Sequence, residues 1–182
     1  AGANFTATNY LGGLFTYRTI ATPPHTHGPT MCAIGIPTAG TQLAQAAAFQ
    51  SIGMLRPEAK LVFRSMRSGL KTHGKDQSWV GSDDLTRHTY VTIENVLSSG
   101  ASMFDAFEKL DTEGYLVKEM HHVVFASWEL GGLENLHAAG YPNIHVLYRL
   151  PDVIAAMVHL GVWPKEYYDD MVARLAQRRA YP

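Results

Sequence analysis

Residues 92–102 read Thr92-Ile-Glu-Asn-Val-Leu-Ser-Ser-Gly-Ala-Ser102, and this stretch decides the fold. The β-branched and aromatic residues that lead up to Glu94 predict a strand. A turn of small residues comes next, and Ser102 with Asp105 three residues later matches a capping box at the start of a helix. Residues 89–114 therefore predict a strand, an anion-binding loop and a helix.

The remainder of the chain alternates in the same manner between short apolar runs and helix-favouring segments. Strands are predicted at residues 31–36, 60–64, 88–93, 120–126 and 144–148. Helices are predicted at residues 41–54, 102–113, 133–139, 151–160 and 164–179. This alternation favours an α/β fold with a mostly parallel sheet and helices on both of its faces.

Composition indicates the domain organisation. Residues 1–30 are rich in glycine, threonine and proline, so we expect an irregular N-terminal arm there. The 182-residue chain is 46% hydrophobic, and residues 31–182 are long enough for one domain with a sizeable core. Residues 67–84 are polar and glycine-rich, which predicts a mobile loop or ribbon.

A set of bulky apolar side chains recurs at helical spacing on the last helix. This spacing predicts that they belong to the core rather than to an interface: Trp163, Tyr167, Tyr168 and Met171.

Net charge, cysteine count and the length of apolar runs also exclude several classes of site and location. A net charge of −1 gives no indication of nucleic-acid binding. The single cysteine, Cys32, rules out a disulfide framework and a cysteine-rich zinc site, and its apolar neighbours predict a core position. No apolar run approaches the roughly 20 residues of a membrane span and no signal peptide is recognisable, so we expect an intracellular location. We expect no metal site at His25 and His27, or at His121 and His122, which point to opposite sides of a strand.

Two stretches could carry chemistry. Backbone N–H groups of Ser98–Ser102 converge at a helix N-terminus, which favours a bound phosphate, and the serine hydroxyls can donate to phosphate oxygens. The alternative there is an ordinary strand-to-helix turn with a serine cap. Residues 67–75 hold three cations and a histidine, which suit a diphosphate and a lid that closes over it. The alternative there is a solvated basic loop.

Taken in order, these motifs resemble type I phosphoribosyltransferases, and orotate phosphoribosyltransferase most closely, over roughly residues 31–179. Lys71-Thr-His-Gly74, followed by Val80-Gly-Ser82, resembles that family's catalytic loop. Residues 93–102 resemble its phosphoribosyl-pyrophosphate signature, and Gly35–Gly40 resembles its diphosphate-contacting turn. The later strand and helix, and the C-terminal helices, have counterparts at residues 129–145 and 151–179.

The resemblance implies a reaction in which phosphoribosyl pyrophosphate, with magnesium, reacts with orotate to give orotidine monophosphate and pyrophosphate. It implies that Lys71 and His73 form the loop pair, lent by a neighbouring subunit, and that Arg67 is the preceding phosphate-binding arginine. It implies that Glu94 contacts the ribose hydroxyls. The 5′-phosphate would lie against Ser98, Ser99, Gly100, Ala101 and Ser102.

The chain also departs from the family at several positions. Asn95 stands where the signature has its second acid, and an amide can neither take a proton nor offset positive charge developing on the ribose. Ser127-Trp128 replaces an Asp-Arg pair whose arginine helps to hold orotate. Ser68 replaces a basic residue, and Thr38 replaces a tyrosine. The family's N-terminal hood over the base has no counterpart in residues 1–30.

Three functions follow from this mixture. The leading hypothesis is a catalytically impaired orotate-phosphoribosyltransferase-like protein that serves as a structural or assembly subunit and keeps phosphate or nucleotide binding. The alternative is an active phosphoribosyltransferase for orotate or another base, with Trp128 stacking on the base. A ligand-sensing regulator is the third. As partners we expect a second copy or a larger assembly, and a phosphorylated small molecule, but no nucleic acid. In a larger assembly we expect residues 1–30 to form the contact arm.

Overall fold

The computed structural model describes residues 30–54, 61–67, 79–80 and 88–180. Contacts divide the chain into two compact units, Ala1–Glu94 and Asn95–Pro182. The predicted N-terminal arm up to residue 29 lies outside the described residues, as do Ser68, Lys71 and His73 of the predicted catalytic loop.

The first unit is built on parallel strands. Its described elements are β1 (Thr30–Gly35), α1 (Ala39–Met54), β2 (Leu61–Met66), β3 (Trp79–Val80) and the greater part of β4 (His88–Leu97). The strands lie in the order β3-β2-β1-β4. β1 runs parallel to both β2 and β4, with Ala33 paired to Phe63 on one side and to Val91 on the other. β3 is antiparallel to β2.

Small side chains hold α1 against β1 and β2. Ala44, Ala47, Ala48 and Ser51 are buried and recur at the spacing of one helical face. Because these side chains are short, the helix backbone can approach the strands closely. Cys32 in β1 is 2% exposed, which confirms its predicted core position.

The second unit continues from the end of β4. Its elements are α2 (Ala101–Thr112), β5 (His121–Ser127), α3 (Gly132–Ala138), β6 (Ile144–Arg149), α4 (Leu150–His159) and α5 (Lys165–Ala180). β5 and β6 are parallel, with Val124 paired to Val146. Among the described helices, none is both long and apolar enough to cross a membrane.

One apolar face fixes α2 in this unit. Met103, Ala106, Phe107 and Leu110 recur at helical spacing and are at most 2% exposed. Burying each of the three larger side chains stabilises the fold by about 1.5–3 kcal/mol. The Phe107 ring lies 4.3 Å from the His122 ring on β5, measured between centroids. The N-terminus of α2 is therefore held by a well-packed helix.

The predicted alternation of mostly parallel strands and helices is confirmed, and most bounds agree within two residues. The exception is β4, which extends to Leu97, so the prediction that the strand ends at Glu94 and Asn95 was wrong. The strand continues because Val96 is β-branched and Leu97 is buried at 1% exposure.

Two further predictions concern residues 67–84 and the last helix. Within residues 67–84, predicted as a loop or ribbon, Trp79–Val80 forms β3 and pairs with β2. Trp79 is 2% exposed and receives the Arg64 guanidinium over its ring at 4.3 Å. Trp163, which precedes α5, and Tyr167 within α5 are 40% and 60% exposed, so the prediction that they belong to the core was wrong. Among the residues of α5 whose burial is described, Leu175 is the buried one, at 8% exposure.

Candidate phosphate-binding site

The candidate site is the phosphate turn, defined as residues 98–102, between β4 and α2. Gly100 caps the helix in the left-handed region, at φ 94°, where a side chain would cost about 1–2 kcal/mol. The capping box predicted at Ser102 is therefore wrong, because the helix begins at Ala101 and Ser102 lies in its first turn. Glycine reverses the chain two residues earlier than the serine pattern suggested. Gly100 is buried, and the other four residues of the turn are exposed.

Three successive backbone carbonyls before the helix accept hydrogen bonds from one segment, residues 128–135. The Leu97 oxygen accepts from the Trp128 N–H at 2.9 Å. The Ser98 oxygen accepts from the Gly132 N–H, also at 2.9 Å. The Ser99 oxygen accepts from the Asn135 side chain, Nδ2, at 3.1 Å. The orientation of the turn is thus fixed by neighbours in the second unit.

These bonds determine where the N–H groups point. In a trans peptide the carbonyl oxygen and the following N–H point in opposite directions. The peptide bonds after Leu97, Ser98 and Ser99 are trans. Because their carbonyls face residues 128–135, the N–H groups of the next three residues face away from that segment. The first-turn N–H groups of α2 and the helix dipole add positive potential at the same end of the helix. The arrangement can bind an anion.

Gly132 makes this arrangement possible. A Cβ built there would overlap the Ser98 oxygen and would lie 3.0 Å from the Gly100 nitrogen. Both of those atoms belong to backbone, which cannot move aside without displacing the turn. Sequence reasoning assigned no role to Gly132 or Asn135, although the Gly131-Gly132 doublet was a usable signal for close backbone approach.

In the first unit, the turn that follows β1 lies against β4. The Ile36 N–H donates to the Ile93 oxygen at 2.9 Å. A Cβ at Gly40 would overlap that same oxygen and lie 3.3 Å from the Glu94 Cα. The fold therefore brings the predicted diphosphate-contacting turn beside Glu94. The Glu94 residue itself is only 3% exposed.

The predicted basic loop is described only at its first residue. Arg67 donates from Nε to the Trp79 oxygen at 3.2 Å, a contact that ties the end of β2 to β3. Its phosphate-binding role stays a prediction. The roles of Lys71 and His73 also stay predictions, because both residues lie outside the described part of the chain.

The carboxyl end of β5 carries Ser127 and Trp128, which the sequence resemblance aligns with an Asp-Arg pair. Ser127 is buried and its Oγ accepts a hydrogen bond from the Glu129 N–H at 3.1 Å. Trp128 is 37% exposed. Glu129 has a left-handed backbone, with φ 57°, and lies 3.8 Å from the Arg149 guanidinium. A strained non-glycine residue of this kind is found often at ligand sites, and no sequence pattern predicted this backbone conformation.

The amino end of β5 carries two histidines in opposite environments, as their adjacent positions predicted. His121 is exposed, whereas His122 is fully buried. The His122 Nε2 donates to the Val117 oxygen at 3.0 Å. Burial lowers the pKa of His122 from 6.5 to about 4, the Val117 bond opposes that change, and nearby His121 and His145 add to it. Within the described residues, no group of three or more His, Cys, Asp or Glu side chains could hold a metal ion.

The chain is similar to known proteins in structure rather than in sequence. No family model matches the chain, and no curated protein sequence matches it. Solved structures do match. UMP synthase of Leishmania donovani has 17% sequence identity and a TM-score of 0.66 over 93% of this chain. The chain spans 33% of the length of that protein.

Two further structures match a larger share of their own length. Orotate phosphoribosyltransferase of Mycobacterium tuberculosis H37Rv has 19% identity and a TM-score of 0.58, covering 80% of this chain and 74% of its own. Orotate phosphoribosyltransferase of Aeropyrum pernix has 19% identity and a TM-score of 0.52, covering 89% of this chain and 75% of its own. At these identities the likeness is one of fold alone. The chain has the α/β fold of type I phosphoribosyltransferases.

Proposed function

We propose that the protein binds a phosphorylated ligand at the phosphate turn and is a catalytically impaired relative of orotate phosphoribosyltransferase that serves as a structural or assembly subunit. A contrast in exposure carries this proposal. Ser98 and Ser99 are exposed beside outward-facing N–H groups, whereas Glu94 is 3% exposed. The chain keeps an open phosphate site and has a closed, incomplete acidic site.

Backbone geometry supports the binding half of the proposal. Hydrogen bonds from N–H groups to a charged phosphate contribute about 1.5–3 kcal/mol each, more than bonds between neutral groups. The carbonyls of residues 97–99 are already fixed by residues 128–135, so little ordering of the turn is needed on binding. The ligand class is a phosphate monoester such as the 5′-phosphate of a phosphoribosyl group.

The lack of charge at two positions supports the proposal that catalysis is impaired. Transfer of a phosphoribosyl group develops positive charge on the ribose ring, and a neighbouring carboxylate stabilises it. Asn95, half-buried in β4, is neutral at every pH and cannot supply that charge. Trp128 cannot form the two parallel hydrogen bonds that an arginine makes to a carboxylate. The 5′-phosphate of phosphoribosyl pyrophosphate is the group that the turn would bind. The fit to magnesium is poorer, since Glu94 is one buried acid where the resemblance implies a pair.

Two measurements test the proposal together. Calorimetry with phosphoribosyl pyrophosphate and magnesium is expected to give saturable binding, and a pyrophosphate-release assay with orotate is expected to give no turnover above a blank. Release of pyrophosphate at an ordinary enzymatic rate would overturn the proposal that catalysis is impaired. Absence of binding by wild-type protein would overturn the proposal that the turn binds a phosphorylated ligand.

The second candidate function is an active phosphoribosyltransferase with a different base, and the exposed indole of Trp128 favours it. The backbone N–H of Trp128 donates to the Leu97 oxygen, which places the residue directly beside the start of the phosphate turn. An aromatic ring there can stack on a base. A panel of purine and pyrimidine bases in the same assay decides this point, and turnover with any base that is lost in Trp128→Ala would replace the first proposal.

The proposed assembly role rests on a surface of the second unit. Leu160, Val162, Trp163 and Tyr167 are each at least 40% exposed near the junction of α4 and α5. An exposed apolar group of this kind is typical of a protein interface. Analytical ultracentrifugation is expected to show a homodimer or larger complex that Tyr167→Glu weakens. A monomer at high concentration, or an oligomer unaffected by this change, would remove the role of this surface.

A further inference from the structure

A pair of histidines lies at the amino end of the parallel strands β5 and β6. His121 is the first residue of β5, and His145 is the second residue of β6. Val123 pairs with His145 in the register of the two strands, and Val123 lies on the same face as His121. The two imidazoles therefore project from one face of the sheet, next to each other.

The ring nitrogens of this pair lie at a distance that suits one metal ion. His121 Nδ1 and His145 Nε2 are 2.9 Å apart, and the ring centroids are 5.1 Å apart. Two nitrogens each about 2.0–2.1 Å from one metal lie about 2.9 Å apart when the angle between the bonds is a right angle, and about 3.3 Å apart at a tetrahedral angle. The observed separation is that of a hydrogen bond between the rings, and it lies close to both of these distances.

The pair is also accessible to an ion from solvent. Both side chains are exposed, and an ion that enters between the rings would replace the hydrogen bond that joins them. In the present arrangement one of the two nitrogens carries a proton and donates to the other. Binding moves that proton to the far nitrogen of the same ring, which leaves both facing nitrogens as neutral ligands.

We propose that His121 and His145 form a two-histidine site for a divalent transition-metal ion, with Cu²⁺ bound most tightly and water in the remaining positions. Imidazole nitrogens favour Cu²⁺ and Ni²⁺, and affinity for a given set of nitrogen ligands is highest for Cu²⁺. The inference is independent of phosphate binding, because the site lies at the amino end of β5 and the phosphate turn contacts residues at its carboxyl end.

The test is a Cu²⁺ titration of the full chain, followed by calorimetry and by electron paramagnetic resonance. Wild-type protein is expected to show a site of one ion per chain whose spectrum carries coupling to two nitrogens. His121→Ala and His145→Ala are each expected to weaken that site at least tenfold and to remove the two-nitrogen coupling. Thermal unfolding of each variant checks that an exposed substitution leaves the fold intact.

Two control variants separate this site from the other histidines. His137→Ala removes an exposed histidine of α3, and a double change of His25 and His27 to alanine removes the pair that is two residues apart in the sequence. Both controls are expected to bind Cu²⁺ as the wild type does. Equal affinity in the wild type and in His121→Ala would overturn the proposal, as would loss of the site in the double control.

Discussion

The two ends of strand β5 are built on different principles. At the carboxyl end, Trp128 and Gly132 hold the phosphate turn through backbone hydrogen bonds. At the amino end the contacts are made by side chains, since His121 and His145 share a hydrogen bond and His122 donates to the Val117 oxygen. Parallel sheets bind ligands at the carboxyl ends of their strands, and the resemblance to phosphoribosyltransferases concerns that end. The resemblance assigns no role to the histidines at the amino end.

The largest expected effect concerns the amino end. Because the pKa of His122 is about 4 in the folded protein and 6.5 in the unfolded chain, the unfolded state binds more protons between these values. The free energy of unfolding should therefore rise with pH over this window, and should fall by about 3 kcal/mol as the pH drops from 6.5 to 4.

Urea unfolding between pH 4 and pH 7 measures this loss. His122→Phe keeps a ring beside Phe107 and removes the titrating group, so the steep part of the pH dependence should disappear. His137→Ala, an exposed control on α3, should keep the wild-type dependence. The same pH dependence in His122→Phe and in the wild type would contradict the assignment.

The second effect concerns the carboxyl end. Gly132→Ala places a Cβ against the Ser98 oxygen and near the Gly100 nitrogen, so the phosphate turn must move. We expect a loss of about 2 kcal/mol in the free energy of unfolding and a fall of about tenfold in affinity for phosphoribosyl pyrophosphate. Chemical unfolding and calorimetry measure the two quantities.

Gly131→Ala is the matched control for this change. A Cβ there meets nothing within 4 Å, although the backbone is left-handed at φ 91°. It should cost about 1 kcal/mol of stability and leave affinity nearly unchanged. If both glycine variants lose affinity equally, the close contact between residues 98 and 132 does not shape the site.

A third effect separates binding from folding. Ser98→Ala and Ser99→Ala each remove an exposed hydroxyl that can donate to phosphate. The affinity for phosphoribosyl pyrophosphate should therefore fall about fivefold, while the free energy of unfolding should change by less than about 0.5 kcal/mol. Thr112→Ala removes an exposed hydroxyl at the opposite end of α2 and should have no effect on affinity. An equal loss of affinity in Thr112→Ala would show that helix stability, not phosphate contact, is being measured.

The smallest expected effect is that of Asn135→Ala. It removes the side-chain hydrogen bond to the Ser99 oxygen, so affinity should fall about two- to threefold by loosening of the turn. Asn143→Ala removes a comparable exposed amide at the amino end of β6, which donates to the Glu119 oxygen. Calorimetry should find that the Asn143 variant binds as the wild type does, and a reversed order of the two variants would contradict the model of a turn supported by residues 128–135.

Local patterns were sufficient to predict the succession of strands and helices, because hydrophobic spacing and capping residues act over a few positions. The predicted end of β4 was wrong because Leu97 is buried against Gly132, which is distant in sequence. The predicted cap of α2 was wrong because Gly100 adopts the left-handed backbone at the start of the helix, ahead of Ser102. The roles of Gly132 and Asn135 depend on tertiary contacts. The meeting of His121 with His145 depends on strand register, which the sequence of either strand alone does not contain.

The central claim is that the phosphate turn binds a phosphate monoester through its backbone. A titration with ribose 5-phosphate, followed by nuclear magnetic resonance of the backbone amides, tests it most directly. The account predicts saturable shifts at the amides of Ser98, Ser99 and Gly100 and at the first turn of α2, which are weakened in Gly132→Ala. Unchanged amides at residues 98–102 up to millimolar ligand, or shifts confined to other parts of the chain, would contradict it.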